Sequence, residues 1–251
     1  MSSAEFYPAR PQQGFSLIEM AIVLVILGML LGGLMMPLAS QREVSQRQAA
    51  ERQLQEIRNA LIGFAQANNR LPCPAALGSD GVEARVPLAP ASATAGNCIA
   101  PLVNNYVPYQ ILGIQGTIIG RNLVDVWQQP IRYRLAANVG PLPTSTLWIY
   151  AKSPIPTTLQ VGPYFQICPA AGACPTADAT NVVAVIFSTG RDGADIPLST
   201  SPDQIQNRLG TTNNFIMRTP TEYHRTGIEF DDIVVWISQP TLIYELSRAG
   251  Q

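Results

Sequence analysis

The chain has 251 residues, of which 13% are charged, and its 16 basic and 17 acidic side chains leave a net charge of −1. No basic field exists to draw in nucleic acid, which argues against that class of partner. The 21 prolines and 19 glycines lie mostly after residue 70 among β-branched runs, the composition of a loop-rich body with short strands.

Residues 1–14 form a short polar leader in which Arg10 is the one fixed positive side chain, with Glu5 against it. From Phe15 to Leu38 the chain is apolar, and from Met20 onward that stretch holds no charge. At ~1.5 Å per helical residue the span is long enough to cross a hydrocarbon core of about 30 Å. One carboxylate, Glu19, sits just inside its start. An ionised group in a membrane segment costs roughly 2.5–3.5 kcal/mol at the centre, so it normally has a partner. A cut between Gly14 and Phe15 would supply one, because the new α-amino group lies a helical turn from Glu19.

A secretory signal peptide would place its apolar region before the cut, and here it follows the small residue. An ordinary signal-anchor helix with an incidental glutamate is the competing reading. Charge gives little orientation, since Arg42, Arg47, Arg52 and Arg58 are interleaved with Glu43, Glu51 and Glu56. Pro37 removes a helical hydrogen bond near the end of the apolar run and is expected to kink it. Gly28, Gly32 and Gly33 would permit close helix approach or local stretching.

From residue 39 to 67 the pattern turns amphipathic. Leu54, Ile57, Leu61 and Phe64/Ala65 recur every three to four residues, with Arg47, Glu51, Gln55 and Arg58 on other faces. The helix is therefore expected to continue unbroken for roughly 50 residues, its apolar stripe forming the seat of a head domain over 68–251. Asn68-Asn69-Arg70-Leu71-Pro72 stops it.

Within the head, Ile131, Tyr133 and Leu135 alternate as a half-buried strand. Leu147–Tyr150 and Tyr164–Ile167 read as short strands. Asn181–Ser188 is a continuous apolar run suited to a central buried strand, and Phe230–Ser238 is the last strong one. Trp127, Trp148 and Trp236 fall in predicted strands, where core packing is their expected role. The four cysteines, Cys73, Cys98, Cys168 and Cys174, all follow the apolar span and are even in number, which favours disulfides. Three connectivities are possible, and sequence order favours the local pairs Cys73–Cys98 and Cys168–Cys174. Metal binding by these thiols lacks support, with no CxxC pair and no nearby histidine.

The stretch Gly14-Phe15-Ser16-Leu17-Ile18-Glu19, with its polar leader and apolar continuation, resembles the prepilin cleavage and methylation signature of type IV pilins and type II secretion pseudopilins. That resemblance implies cleavage after Gly14 by a prepilin peptidase, N-methylation of Phe15, and pairing of Glu19 with the amino terminus of an adjacent subunit during filament assembly. It also implies an α+β fold, a long N-terminal helix packed on a C-terminal antiparallel sheet. Later segments add to it. Leu71-Pro72-Cys73-Pro74 resembles the turn that leaves the long helix in such proteins. Asp125-Val126-Trp127, followed by Pro130, is similar to the Asp-x-Trp-Gly-x-Pro segment of major pseudopilins, with Gln128 in the place of the glycine. Thr189-Gly190-Arg191-Asp192-Gly193 and Asp231-Asp232-Ile233-Val234-Val235-Trp236 look like the C-terminal sheet of pilin-like heads.

Major pseudopilins carry a calcium site in a comparable loop, so Asp192, Asp195 and Asp231-Asp232 are candidate Ca²⁺ ligands. The acidic ligand-rich segment of such a site is missing, and aspartates favour turns for local reasons, so no metal ligand and no cofactor is assigned. His224 is the one histidine and has no nucleophile elbow to serve, so it reads as a loop residue and no catalytic residue is assigned. Gly190–Gly193 lacks the spacing and lysine of a phosphate loop.

The reading that results is a non-enzymatic filament subunit, minor or specialised given its large head. Its expected partners are other subunits, the prepilin peptidase, the inner-membrane assembly platform and, before assembly, lipid. Its expected place is the bacterial inner membrane, single-pass with the head in the periplasm, then the filament. An adhesin or substrate-binding module on the same anchor is the alternative, and a membrane-anchored periplasmic enzyme the third reading.

Overall fold

The computed structural model describes residues 14–86, 98–99, 106–136, 138–139, 146–147, 164–172, 174, 176–193, 201–209, 213–221 and 229–250, the side chains of 31–40, 138–139, 146–147 and 209 excepted. The leader up to residue 13, Trp148, Asp195 and His224 lie outside these residues. The chain divides into two compact units, Met1–Arg47 and Gln48–Gln251. Helix α1, Leu17–Asn68, runs through the boundary between them, and Pro37 lies within it.

In the second unit α1 is held by its apolar stripe. Ala50, Leu54, Ile57, Leu61 and Ala65 are at most 1% exposed, and their spacing keeps them on one helical face. Gln53 donates to the Val124 carbonyl at 3.0 Å and Arg58 to the Trp236 carbonyl at 3.0 Å, so polar contacts at the flanks fix the helix as well. The helix ends where Asn69 takes a left-handed φ of 51° and its N–H reaches the Ala65 carbonyl at 2.8 Å. Asparagine tolerates that conformation better than most residues, which is why the predicted stop holds.

The sheet is built around β7, Ala179–Ser188, whose residues from Val182 onward are all buried. One edge of β7 takes β9, Ile233–Ser238, over its whole apolar length; the other takes β3, Arg132–Leu135, and then β6, Phe165–Cys168, all antiparallel. The fifth strand, β8 (Asn214–Ile216), pairs with β6 in parallel, so the sheet is antiparallel except at this edge. Two further pairs, β1 (Ile118–Ile119) with β2 (Asn122–Leu123) and β4 (Asn138–Val139) with β5 (Thr146–Leu147), form separate antiparallel ribbons. Both sheet faces are covered. Tyr133, Val183, Ile186, Val235 and Ile237 join the α1 stripe in one core, while Val182, Val185, Phe187, Phe165 and Phe215 form a second. Such side chains each contribute about 1.5–3 kcal/mol by burial.

Among the described residues, three short helices complete the unit. α2, Tyr109–Leu112, ends at Gly113 in the left-handed region. α3, Pro202–Leu209, lies beside β8, and α4, Gln239–Arg248, follows β9 directly. Ser238 caps α4 by accepting from the Thr241 N–H at 3.3 Å, with Pro240 in its first turn, and Leu242 and Leu246 bury its inner face. Disulfides join Cys73 to Cys98 and Cys168 to Cys174.

Candidate functional site

Gly14, Phe15 and Ser16 precede the helix, and the first turn opens with the Met20 N–H on the Ser16 carbonyl at 3.2 Å. The Gly14–Phe15 peptide therefore lies in exposed, non-helical chain, the conformation a peptidase needs. Phe15 is 80% exposed and Leu17 92%. Glu19 falls in the first turn, where the partial positive charge of the helix N-terminus favours a carboxylate. A free amino group on Phe15 would place a full cation at that same end.

Beyond Glu19 the helix exposes apolar side chains on every face: Met20, Ile22 to Leu27, Met29 and Leu30 are all exposed. An apolar surface of this extent normally marks contact with protein or membrane. Among the described residues no helix is long and apolar enough to cross a membrane, and the side chains of 31–40 are outside that description.

The head carries a second polar constellation, built around the aspartates that the sequence grouped as candidate Ca²⁺ ligands. Asp231, entering β9, accepts from the Arg191 N–H at 2.7 Å and the Asp192 N–H at 3.3 Å. It thereby closes the turn after β7. Gly190 stands there at φ 66°, and a Cβ on it would run into the Asp231 carboxyl group. Arg208 of α3 pairs with Asp192 and donates to the Thr189 carbonyl at 3.2 Å. Asn207 donates to Asp232 at 2.9 Å, and Gln204 to Asp231 at 2.9 Å. Burial, then the charge of Asp192, pushes the Asp231 carboxyl well above the usual carboxylate range. Burial likewise lifts Asp232 to about 8, against the pull of Arg208.

Nearby, Asp125 organises the turn that was read as a departure from the pseudopilin pattern. One of its oxygens accepts from the Trp127 N–H at 2.9 Å and the Gln129 N–H at 2.8 Å, and the other accepts from the Ser188 hydroxyl. Gln128 sits between them at φ 65°, doing what glycine does without strain. Trp127 belongs to this turn rather than to a strand, a correction to the sequence expectation; the Asp125 side chain holds its backbone out of a ladder. Trp236 is in β9 as expected.

Of the residues proposed as Ca²⁺ ligands, Asp192, Asp231 and Asp232 are brought together, but their oxygens face α3 donors and backbone N–H groups. Among the described residues no group of three or more histidine, cysteine, aspartate or glutamate side chains could hold a metal ion. α3 itself was missed by the sequence reading, because its inward positions are polar.

Residues 9–35 match the family model described as the prokaryotic N-terminal methylation motif. The match covers the leader end, the Gly14–Phe15 bond, Glu19 and most of the apolar run. No curated protein matches the chain. No solved structure matches it either.

Proposed function

We propose that the chain is a subunit of a type IV pilus or a type II secretion pseudopilus, minor or specialised, made as a single-pass inner-membrane precursor with its head in the periplasm. The observation that carries this reading is the coincidence of the methylation motif over 9–35 with a helix whose apolar side chains are exposed all round. A signal-anchor alone would need the apolar surface but not the Gly-Phe-x-x-x-Glu arrangement at its start.

In this mechanism prepilin peptidase cuts between Gly14 and Phe15 and the new amino group is methylated, which keeps its charge. The Phe15–Leu38 segment then leaves lipid for a filament core, exchanging one apolar surrounding for another at little cost in hydrophobic burial. Glu19 cannot enter that core unpaired, so it meets the Phe15 ammonium of a neighbouring subunit. The assembly platform delivers subunits one at a time, and the carboxylate–ammonium contact sets axial register. The role is structural, and turnover by the purified protein would count against it.

Intact mass and N-terminal sequencing of the protein from its native membranes test this directly. A chain starting at Phe15 with one added methyl group is expected. A chain still starting at Met1, in cells with an active prepilin peptidase, would sink the proposal.

A further inference from the structure

The outer edge of β8 is occupied by side chains rather than by a strand. On its inner side β8 pairs with β6 in parallel, the Gln166 N–H on the Asn213 carbonyl and the Met217 N–H on the Cys168 carbonyl, both at 2.9 Å. Backbone groups of alternate residues point to opposite sides of a strand, so those of Asn214 and Ile216 face away from β6. An edge of this kind invites a further strand. Here α3 stands in its place. Asn207 accepts the Ile216 N–H at 2.7 Å through Oδ1 and donates to the Ile216 carbonyl at 2.9 Å through Nδ2. Those are the two hydrogen bonds that a residue on a neighbouring antiparallel strand would exchange with Ile216. Gln206 donates to the Asn214 carbonyl at 3.2 Å.

The two amides are held in register along the edge. Asn207 is 0% exposed, and it also donates to Asp232 at 2.9 Å, so both its hydrogens and its oxygen are engaged. The Gln206 oxygen accepts from the Gly172 N–H at 3.2 Å. Next to them Gln204 donates to Asp231 at 2.9 Å, and Arg208 donates to the Thr189 carbonyl at 3.2 Å. Gln204, Asn207 and Arg208 are all buried, and burying polar groups is tolerated only where they are hydrogen-bonded. An apolar residue at 207 would fill the space but leave the Ile216 N–H and carbonyl without partners. The amide is therefore matched to the strand edge and not to the core.

We propose that the outer edge of β8 is a strand-pairing surface for a second copy of this chain, kept shut by α3, with Gln206 and Asn207 as the residues that shut it. The edge is complementary to itself. Two β8 strands laid antiparallel about Phe215 set Asn214 of each against Ile216 of the other. Each such pair exchanges both N–H-to-carbonyl hydrogen bonds, once on either side of Phe215. β8 is 3 residues long, so its own antiparallel image meets every outward group with no overhang. Asn214, Phe215 and Ile216 are uncharged, and no like charges face each other across the junction. α3 removes this option twice over. Its amides take the Ile216 groups and the Asn214 carbonyl, and its backbone fills the space beside the strand.

The test uses the full chain in detergent micelles, with Asn213→Cys carrying a nitroxide label. Asn213 is exposed. In the paired arrangement the two labelled Cα atoms lie about 14 Å apart, from the rise along the strands and the spacing between them. Dipolar broadening of the nitroxide spectrum reads that separation. The labelled parent carries the same N-terminal helix, so it gives the baseline for association through any other surface. Gln206→Ala/Asn207→Ala on that background is expected to reach a given broadening at a protein concentration at least about tenfold lower, a shift of about 1.4 kcal/mol in pairing. The β7 amides are expected to keep their protection against hydrogen exchange. A spectrum that matches the parent at every concentration, with β7 still protected, overturns the proposal. Should the double variant not fold, the labelled parent decides in rising urea. Concentration-dependent broadening before β7 loses its protection supports the guarded edge, and none before that point overturns it.

Discussion

Arg70 grips Glu83 with both terminal guanidinium nitrogens, at 2.8 and 2.7 Å, and the same carboxylate accepts the Cys73 N–H at 3.0 Å. The two side chains are only 10% and 13% exposed, so the pair ties the exit of α1 to the loop that returns beside it. Burial raises the pKa of Glu83, but the Arg70 and Cys73 hydrogen bonds outweigh it and leave the carboxyl below its ordinary value of 4.5. A depressed folded value means stability that is present above that ordinary value and lost as pH falls through the folded one. Arg70→Ala strands a nearly buried carboxylate and is expected to cost about 3 kcal/mol, whereas the double change Arg70→Met/Glu83→Leu costs much less. Denaturant unfolding of the three proteins at neutral pH, repeated in acid, checks both statements. Equal losses in the single and double variants would contradict the first.

Gln128 should be improvable. Its left-handed backbone, φ 65°, is imposed by the two N–H groups that Asp125 draws onto one oxygen. A side chain there costs about 1–2 kcal/mol, and glycine removes that strain while loosening the unfolded chain. Gln128→Gly is expected to gain about 1 kcal/mol, a rise in Tm of about 2–4 °C for a domain this size. A calorimetric scan showing a lower Tm would mean that the glutamine side chain makes a contact of its own worth more than the strain.

Sequence patterns reveal the fold where apolar spacing dictates structure, and fail where polar contacts do. The α1 stripe of Leu54, Ile57 and Leu61 and the apolar runs of β7 and β9 were legible because water exclusion enforces their periodicity. The Gly14–Glu19 motif was legible because it is local. α4 carried a readable signal that went unused: Ser238 as cap, Pro240 in the first turn, and Leu242 and Leu246 four apart. α3 carried none, since Gln204, Asn207 and Arg208 read as a solvated face until three aspartates from elsewhere in the chain meet them. Trp127 was read as lying in a strand, whereas the Asp125 side-chain hydrogen bonds that bend the chain there leave no periodic mark in the sequence.

Glu19 is the residue on which assembly should turn. It lies on an exposed first turn, so its removal is not expected to disturb the head or the Gly14–Phe15 bond. Glu19→Ala is expected to be cut and methylated normally but to fall out of filaments by tenfold or more, a loss of about 1.4 kcal/mol or greater from one missing ion pair. Sheared filaments and membranes from the same cells, compared by immunoblot, separate the two steps. Normal abundance in filaments would show that no buried contact depends on the carboxylate.

The two disulfides should differ in what they contribute. Cys73–Cys98 spans 25 residues and Cys168–Cys174 spans 6. Loop-closure entropy then gives roughly 3.5 kcal/mol for the first and roughly 2.4 kcal/mol for the second. Packing widens the gap, since Cys73 and Cys98 belong to the core against α1, and Cys73 also carries the N–H that Glu83 accepts. The shorter bridge closes a loop that α3 also anchors through Asp203 and Gln206, so that loop keeps its place in the folded state when the bridge is removed. Cys73→Ala/Cys98→Ala should therefore lower stability by at least about 1 kcal/mol more than Cys168→Ala/Cys174→Ala, measured by denaturant unfolding. The reverse order would place the stabilising weight of the head on the loop beside α3 rather than on the exit of the long helix.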